Sequence, residues 1–472
     1  MRTNLQTRND SSQSRVSTTV AEQAIGAKRL SVATPDTQPM QAIHIPSLNL
    51  NVRGLATSAT LALNEHCARL REQGRDVIRF GLGQSPFPVP DDVVEELRAN
   101  AHQKDYLEVR GLRSLREAVS EYYLRRYQVR RRPDDVLIGP GSKELMFLIQ
   151  LVYYGDLVIP IPSWVSYAPQ ATMVGRQIRW LKTEKKNGWQ LEPEELEALC
   201  DEDPERPRLL ILNYPNNPTG GTYSPEKLKE LAAIARRYRV VMLSDEIYGE
   251  IHHQGRHRSI AEFYPEGTII SSGLSKWCGA GGWRLGTFTF PENLSWLREG
   301  MTVAASETYT ATAAPIQYAA VKAFQSSPSI EEYLVRSRQA LRSLGRHAAE
   351  RLAGMGLELT PPEGGFYLFP DFRPVRRALR AEGITTSMEL ASRMLDETGV
   401  AALPGSSFGC DAKTLTLRLA YVDFDGAKAL DMAGRQPGDE TMSHEALQSF
   451  APHVLMALDR MEAWIESLRA TA

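Results

Sequence analysis

A lysine set among small residues is the group in this chain best suited to covalent chemistry. It lies in Ser271-Ser-Gly-Leu-Ser-Lys276-Trp-Cys-Gly-Ala-Gly-Gly-Trp-Arg284-Leu-Gly286, which begins where the apolar run Thr268-Ile-Ile stops. Gly279, Gly281, Gly282 and Gly286 follow the lysine. Glycine in series disfavours a helix and lets backbone approach a ligand closely. Short hydroxyls, bare backbone N–H groups and Arg284 together suit a phosphate. A lysine drawn out of water beside such a site loses part of its preference for charge, and as a neutral amine it can attack a carbonyl. Taken alone, the stretch reads equally well as a surface loop with a solvated Lys276 and Arg284.

Three further segments suit the same chemistry: Asn213-Tyr-Pro-Asn-Asn217-Pro-Thr-Gly220, Ser244-Asp245-Glu-Ile-Tyr248 and Leu417-Arg418-Leu-Ala. Singly, each has a plainer reading, as a turn, a strand-end cap and a surface arginine. In order and spacing, over residues 77–465, the four motifs resemble the class I/II aminotransferases, pyridoxal-phosphate enzymes of fold type I. The resemblance implies an α/β protein: a large domain whose mostly parallel sheet is sandwiched by helices, plus a smaller α+β domain. It implies pyridoxal 5'-phosphate as cofactor, with Lys276 as its covalent anchor and proton carrier. Asp245 would pair with the pyridine nitrogen. Asn217 and Tyr248 would bond the ring's phenolic oxygen, and Trp164 would stack on the ring. Ser142, Lys143, Ser275 and Arg284 would hold the phosphate, joined by Tyr106 from the second subunit of a homodimer. Arg418 would grip the substrate α-carboxylate through paired hydrogen bonds, with Gly83 and Asn217 beside it. For Tyr106 and Trp164 the rival reading is an aromatic that only packs, and for Gly83 a plain turn.

Two departures from the family pattern stand out. Gln84-Ser85 follows Gly83 where relatives show an acidic residue. Gly273 stands where many have a phosphate-binding serine, which leaves Ser272, Ser275 or the backbone to serve.

Elements must position these groups. Leu209-Leu-Ile-Leu, Val240-Val-Met-Leu and Thr268-Ile-Ile are apolar throughout, as strands buried on both faces should be. A helical face (Leu228, Leu231, Ala235, Tyr238) separates the first two. Alternating strand and helix predicts a parallel sheet with ligands at its carboxyl ends, where Asn217, Asp245 and Lys276 fall. Val136-Leu-Ile-Gly-Pro-Gly141-Ser142 reads as strand, turn and the start of a helix whose N-terminus could hold an anion. Helices are expected over 58–71, 111–122, 316–324, 330–354, 387–398 and 445–468, and strands at 77–80, 364–370, 400–403 and 415–420. The expected organisation is a disordered extension over 1–42, a segment over 43–90 that joins the small domain, a large domain over 91–335 and a small domain over 336–472.

The chain has 472 residues and a net charge of −2, which points to neither nucleic acid nor an anionic membrane as partner. Its cysteines, Cys67, Cys200, Cys278 and Cys410, have no disulfide or metal spacing. No apolar run nears the roughly 20 residues of a membrane helix, and no secretory core follows Met1. The expectation is a cytoplasmic enzyme without metal, moving an amino group between an α-amino acid and a 2-oxo acid. A lyase, or an amino-acid oxidase or hydroxylase, on the same fold is the alternative. A regulator using the fold as a sensor would need a DNA-binding domain, which residues 1–45 do not supply.

Overall fold

Leu209-Leu-Ile-Leu forms a strand because successive side chains point to opposite faces, and a run apolar at every position fills two cores at once. Leu209 and Ile211 pack with Leu145, Ile149 and Leu297 in one core. Leu210 and Leu212 pack with Leu196, Leu228 and Leu231 in the other. Helices Ser142–Val152 and Ser295–Ser306 cover the first face, and Pro193–Asp201 and Pro225–Arg237 the second. Truncating one such leucine to alanine costs about 2–5 kcal/mol.

The computed structural model describes residues 48–436 and 441–471. The extension expected over 1–42 lies outside the described residues. The described residues from Asn49 onward form one compact unit. Its strands are β1 Ile78–Arg79, β2 Val136–Gly139, β3 Asp156–Ile161, β4 Ile178–Lys182, β5 Arg208–Asn213, β6 Val241–Asp245, β7 Thr268–Gly273, β8 Gly286–Thr289, β9 Tyr367–Leu368, β10 Val400–Ala401, β11 Leu403–Pro404 and β12 Leu417–Ala420. The main sheet has the order β2-β8-β7-β6-β5-β3-β4, and β8 alone runs against the rest. A second sheet, β11-β12-β9, is antiparallel. Strand β1 pairs in parallel with β10, and Cys67 and Leu70 of helix Ala59–Glu72 pack with Val77, Leu395 and Ala401.

Three differences from the sequence reading have physical causes. Strand β4 escapes an apolar-run search because it is an edge strand that buries only Leu181. Strand β8 escapes it because two of its three buried side chains are threonines, Thr287 and Thr289. The single helix expected over 445–468 is two, His444–Phe450 and Pro452–Ala470. Pro452 has no N–H to continue the first helix and instead opens the second. No helix among the described residues is long and apolar enough to cross a membrane.

Candidate active site

Adjacent parallel strands end in a polar row. Asn213 of β5 is in register with Asp245 of β6, and Asp245 with Ser271 of β7. Asp245 is 4% exposed. Tyr167 Oη donates to its Oδ2 at 2.5 Å, and Ser271 Oγ to its Oδ1 at 3.5 Å. Burial pushes the Asp245 carboxyl up to about 6, and these donors limit the rise.

Lys276 follows the end of β7, and its Nζ donates to the carbonyl of Gly83 at 2.7 Å. Burial pushes the amine down to about 8; the charges of Arg418 and Arg284 add to this and Asp245 opposes it. The half-buried lysine and the buried acid are thus drawn toward the same neutral range from opposite sides.

On the other wall, Arg418 of β12 is 1% exposed. Its guanidinium donates to Asn217 Oδ1 at 3.2 Å and to the Gly81 carbonyl. It lies 4.8 Å from the Tyr367 ring centre and 5.2 Å from that of Phe408. Its buried Nε has no hydrogen-bond partner. Asn217 Nδ2 donates to Tyr248 Oη at 3.4 Å, and Tyr248 Oη stands 2.8 Å from Tyr367 Oη.

The third wall is built for an anion. Helix Ser142–Val152 begins directly after Gly141, whose φ of 98° is open to glycine. A Cβ on Gly141 would stand 2.1 Å from Arg284 Nη2, and one on Gly286 would stand 2.2 Å from the Ser142 nitrogen. The two glycines thus let Arg284 and the helix's first N–H groups converge. Arg284 itself takes a left-handed φ of 56°, a conformation that only its surroundings impose on a non-glycine residue. Lys143 Nζ lies 5.6 Å from the Trp164 ring centre. Of the alternatives to the missing serine, Ser275 lines the cleft whereas Ser272 does not. Gly273 itself has no room for a side chain, since a Cβ there would stand 2.5 Å from the Leu285 carbonyl oxygen.

These walls line one open cleft. Gly83, Ser142, Lys143, Trp164, Asn217, Asp245, Tyr248, Ser275, Lys276, Arg284 and Arg418 all line it. Tyr106 does not; it is 92% exposed. Tyr367 and Tyr167 are among the lining or supporting residues that have no role in the sequence reading. Each acts through a partner distant in the chain, so no local signal marks it. Four lining cations, Lys143, Lys276, Arg284 and Arg418, face the single carboxylate of Asp245. Among the described residues none of the four sits in a salt bridge, so the cleft has the electrostatics of a site for two anionic groups.

An amine, a buried acid and clustered cations at the carboxyl ends of a mostly parallel sheet define a transferase scaffold of fold type I. Residues 75–428 match the family described as aminotransferase class I and II. The chain is 32% identical over 382 residues to an aspartate aminotransferase of Bacillus sp. (strain YM-2), covering 78% of this chain and 93% of that protein. It is 30% identical over 386 residues to an asparagine–oxo-acid transaminase of Streptococcus mutans serotype c, covering 79% and 94%. Its structure aligns with that of the Thermus thermophilus aspartate aminotransferase with maleate at a TM-score of 0.76 and 26% identity, covering 88% of this chain and 99% of the other. The chain belongs to the class I and II aminotransferases. It is a transaminase that moves an amino group between an α-amino acid and a 2-oxo acid.

Proposed function

We propose that the cleft holds pyridoxal 5'-phosphate and that Lys276, Asp245 and Arg418 carry the reaction. The observation that carries this reading is the convergence of those three groups in one cleft whose cations outnumber its carboxylate. The residues present suit the group. The Gly141–Gly286 cradle, the Ser142 backbone, Lys143, Ser275 and Arg284 would take a phosphate; Trp164 offers a flat face; Asp245 suits a protonated ring nitrogen; Asn217 and Tyr248 suit a phenolic oxygen.

When bound, pyridoxal phosphate supplies a ring that withdraws electrons from the substrate Cα. The chain's own residues supply the rest. Lys276, its amine held near neutrality by burial, would take the proton from that carbon as base and then, as acid, give it up to the cofactor carbon. Asp245, braced by Tyr167, keeps a proton on the ring nitrogen. Arg418 binds and orients the α-carboxylate, for which its charge stands unneutralised and its Nε unpartnered. The relatives' names make aspartate and asparagine the first amino donors to test.

Tyr106, exposed and outside its own cleft, is assigned to the phosphate of a second copy in a homodimer. Mixing Tyr106→Phe with Lys276→Ala chains tests this, since a shared site would form one intact cleft per mixed dimer.

The cofactor reading is tested on purified protein. The wild type should carry a visible chromophore that Lys276→Ala abolishes. Adding aspartate alone should convert the bound cofactor to its amine form and release one oxo acid per site. Release of ammonia instead would mark elimination or oxidation and overturn the assignment of the cleft to transamination.

A further inference from the structure

We propose that Tyr367 is a positioning residue of this reaction, its hydroxyl orienting Tyr248 and its ring seating Arg418. The proposal rests on the cofactor reading above. Tyr367 lies on β9, in register with Ala420 of β12, the strand that bears Arg418. It is 1% exposed yet lines the cleft. A Cβ on Gly83 would stand 1.9 Å from its hydroxyl, so the loop that accepts the Lys276 amine closes directly over this group.

A phenol has one proton to give and two lone pairs to fill. Tyr248 receives one hydrogen bond from Asn217 Nδ2, and the Tyr367 hydroxyl is 2.8 Å away. Either hydroxyl of the pair could donate, but Tyr248 Oη is the one hydrogen-bond partner of the Tyr367 hydroxyl among the described residues, so Tyr367 is taken as the donor. With Asn217 and Tyr367 both donating, the acceptor positions of Tyr248 are filled. Its own proton is then free to point at an oxygen in the cleft. Each donor also polarises the next, so Tyr248 becomes a stronger donor than an isolated tyrosine. The second role is independent of the hydroxyl. The ring face lies 4.8 Å from the centre of the Arg418 guanidinium and supports it from below, while its polar edge stays available to a carboxylate.

Two variants separate the roles, and the readouts are binding and spectra of the full-length holoenzyme. In Tyr367→Phe the ring remains and the hydroxyl goes. Tyr248 becomes a poorer donor, the cofactor's phenolic oxygen becomes more basic, and the pH midpoint of the bound chromophore should rise by roughly half a unit. Its Kd for maleate, an unreactive carboxylate, should stay within about twofold, because the cation–aromatic contact is kept. In Tyr367→Leu the maleate Kd should rise by about tenfold. Should the leucine variant fail to fold, the midpoint of Tyr367→Phe still decides. An unshifted midpoint in Tyr367→Phe overturns the proposal, as does an unchanged maleate Kd in a folded Tyr367→Leu. A wild-type protein with no chromophore overturns the cofactor reading, and this one with it.

Discussion

The Tyr167 hydroxyl stands 2.5 Å from Asp245 Oδ2, and both groups are buried beneath the cleft. Without that donor the carboxylate would lose its best-placed source of stabilisation, and burial already pushes it up to about 6. Tyr167→Phe should therefore raise the Asp245 pKa further, by about one unit for a lost hydrogen bond to a charged group. An acid that protonates near neutrality no longer stabilises a charged ring nitrogen. The pH below which cofactor affinity falls should move upward in Tyr167→Phe. Titrating the cofactor Kd from pH 5 to 8 checks it, and coincident wild-type and variant curves refute it.

Lys276 should cost the cofactor-free protein stability. Its amine is pushed down to about 8 in the folded state, below the roughly 10.4 of an unfolded lysine. Below pH 8 both states bind the proton, and only the folded state bears the penalty of burying the charge. As pH rises from about 8 to 10.4 the folded amine sheds its proton first, and the penalty disappears. Lys276→Met should stabilise the cofactor-free protein by about 2–3 kcal/mol near pH 7, and by progressively less toward pH 10. The lost bond to the Gly83 carbonyl works in the opposite direction and sets the lower figure. Thermal melts of both proteins across this range would show a gap that narrows with pH; a constant gap contradicts it.

Most of the cleft was legible in the chain because Asn217, Asp245 and Lys276 each follow a run that is apolar at every position. Such a run is a doubly buried parallel strand, and ligands gather at the carboxyl ends of parallel strands. Tyr167 and Tyr367 stayed hidden because their partners are 78 and 119 residues away in sequence, and no periodicity reports that distance. Gly273 looked like a missing hydroxyl, but its closeness to the Leu285 carbonyl makes it a packing requirement of the β7–β8 pair. Arg418 was legible by type and context, whereas its seat between two aromatic faces depends on the second sheet, β11-β12-β9.

Arg418→Lys keeps the charge and removes the fork. A lysine ammonium cannot reach Asn217, Gly81 and a carboxylate in the same planar arrangement, and it is more strongly hydrated than a guanidinium. Losing one of two charge-assisted bonds to the α-carboxylate should raise KM for amino acid and oxo acid alike by about 10- to 100-fold. The bound chromophore should remain, since the anchor lysine is untouched. Steady-state kinetics beside a spectrum separates this from general damage: lost colour, or KM unchanged for both substrates, contradicts the role.

Gly286→Ala tests the anion wall from its backbone side. Gly286 lies between Gly139 and Gly273 in the sheet, and a Cβ there would stand 2.2 Å from the Ser142 nitrogen. That contact is with backbone at a helix start, so no side chain can rotate away to relieve it. The helix Ser142–Val152 must shift, and its first N–H groups leave the point where Arg284 converges. Two or more hydrogen bonds to a phosphate would weaken together, which should raise the cofactor Kd by at least about tenfold. Catalysis at saturating cofactor should fall far less, because Asp245 and Arg418 stand on other strands and Lys276 follows the end of β7. Inorganic phosphate provides a separate reading: it should compete with the cofactor in the wild type and lose that effect in Gly286→Ala. Equal competition in both proteins would mean that the phosphate is held elsewhere.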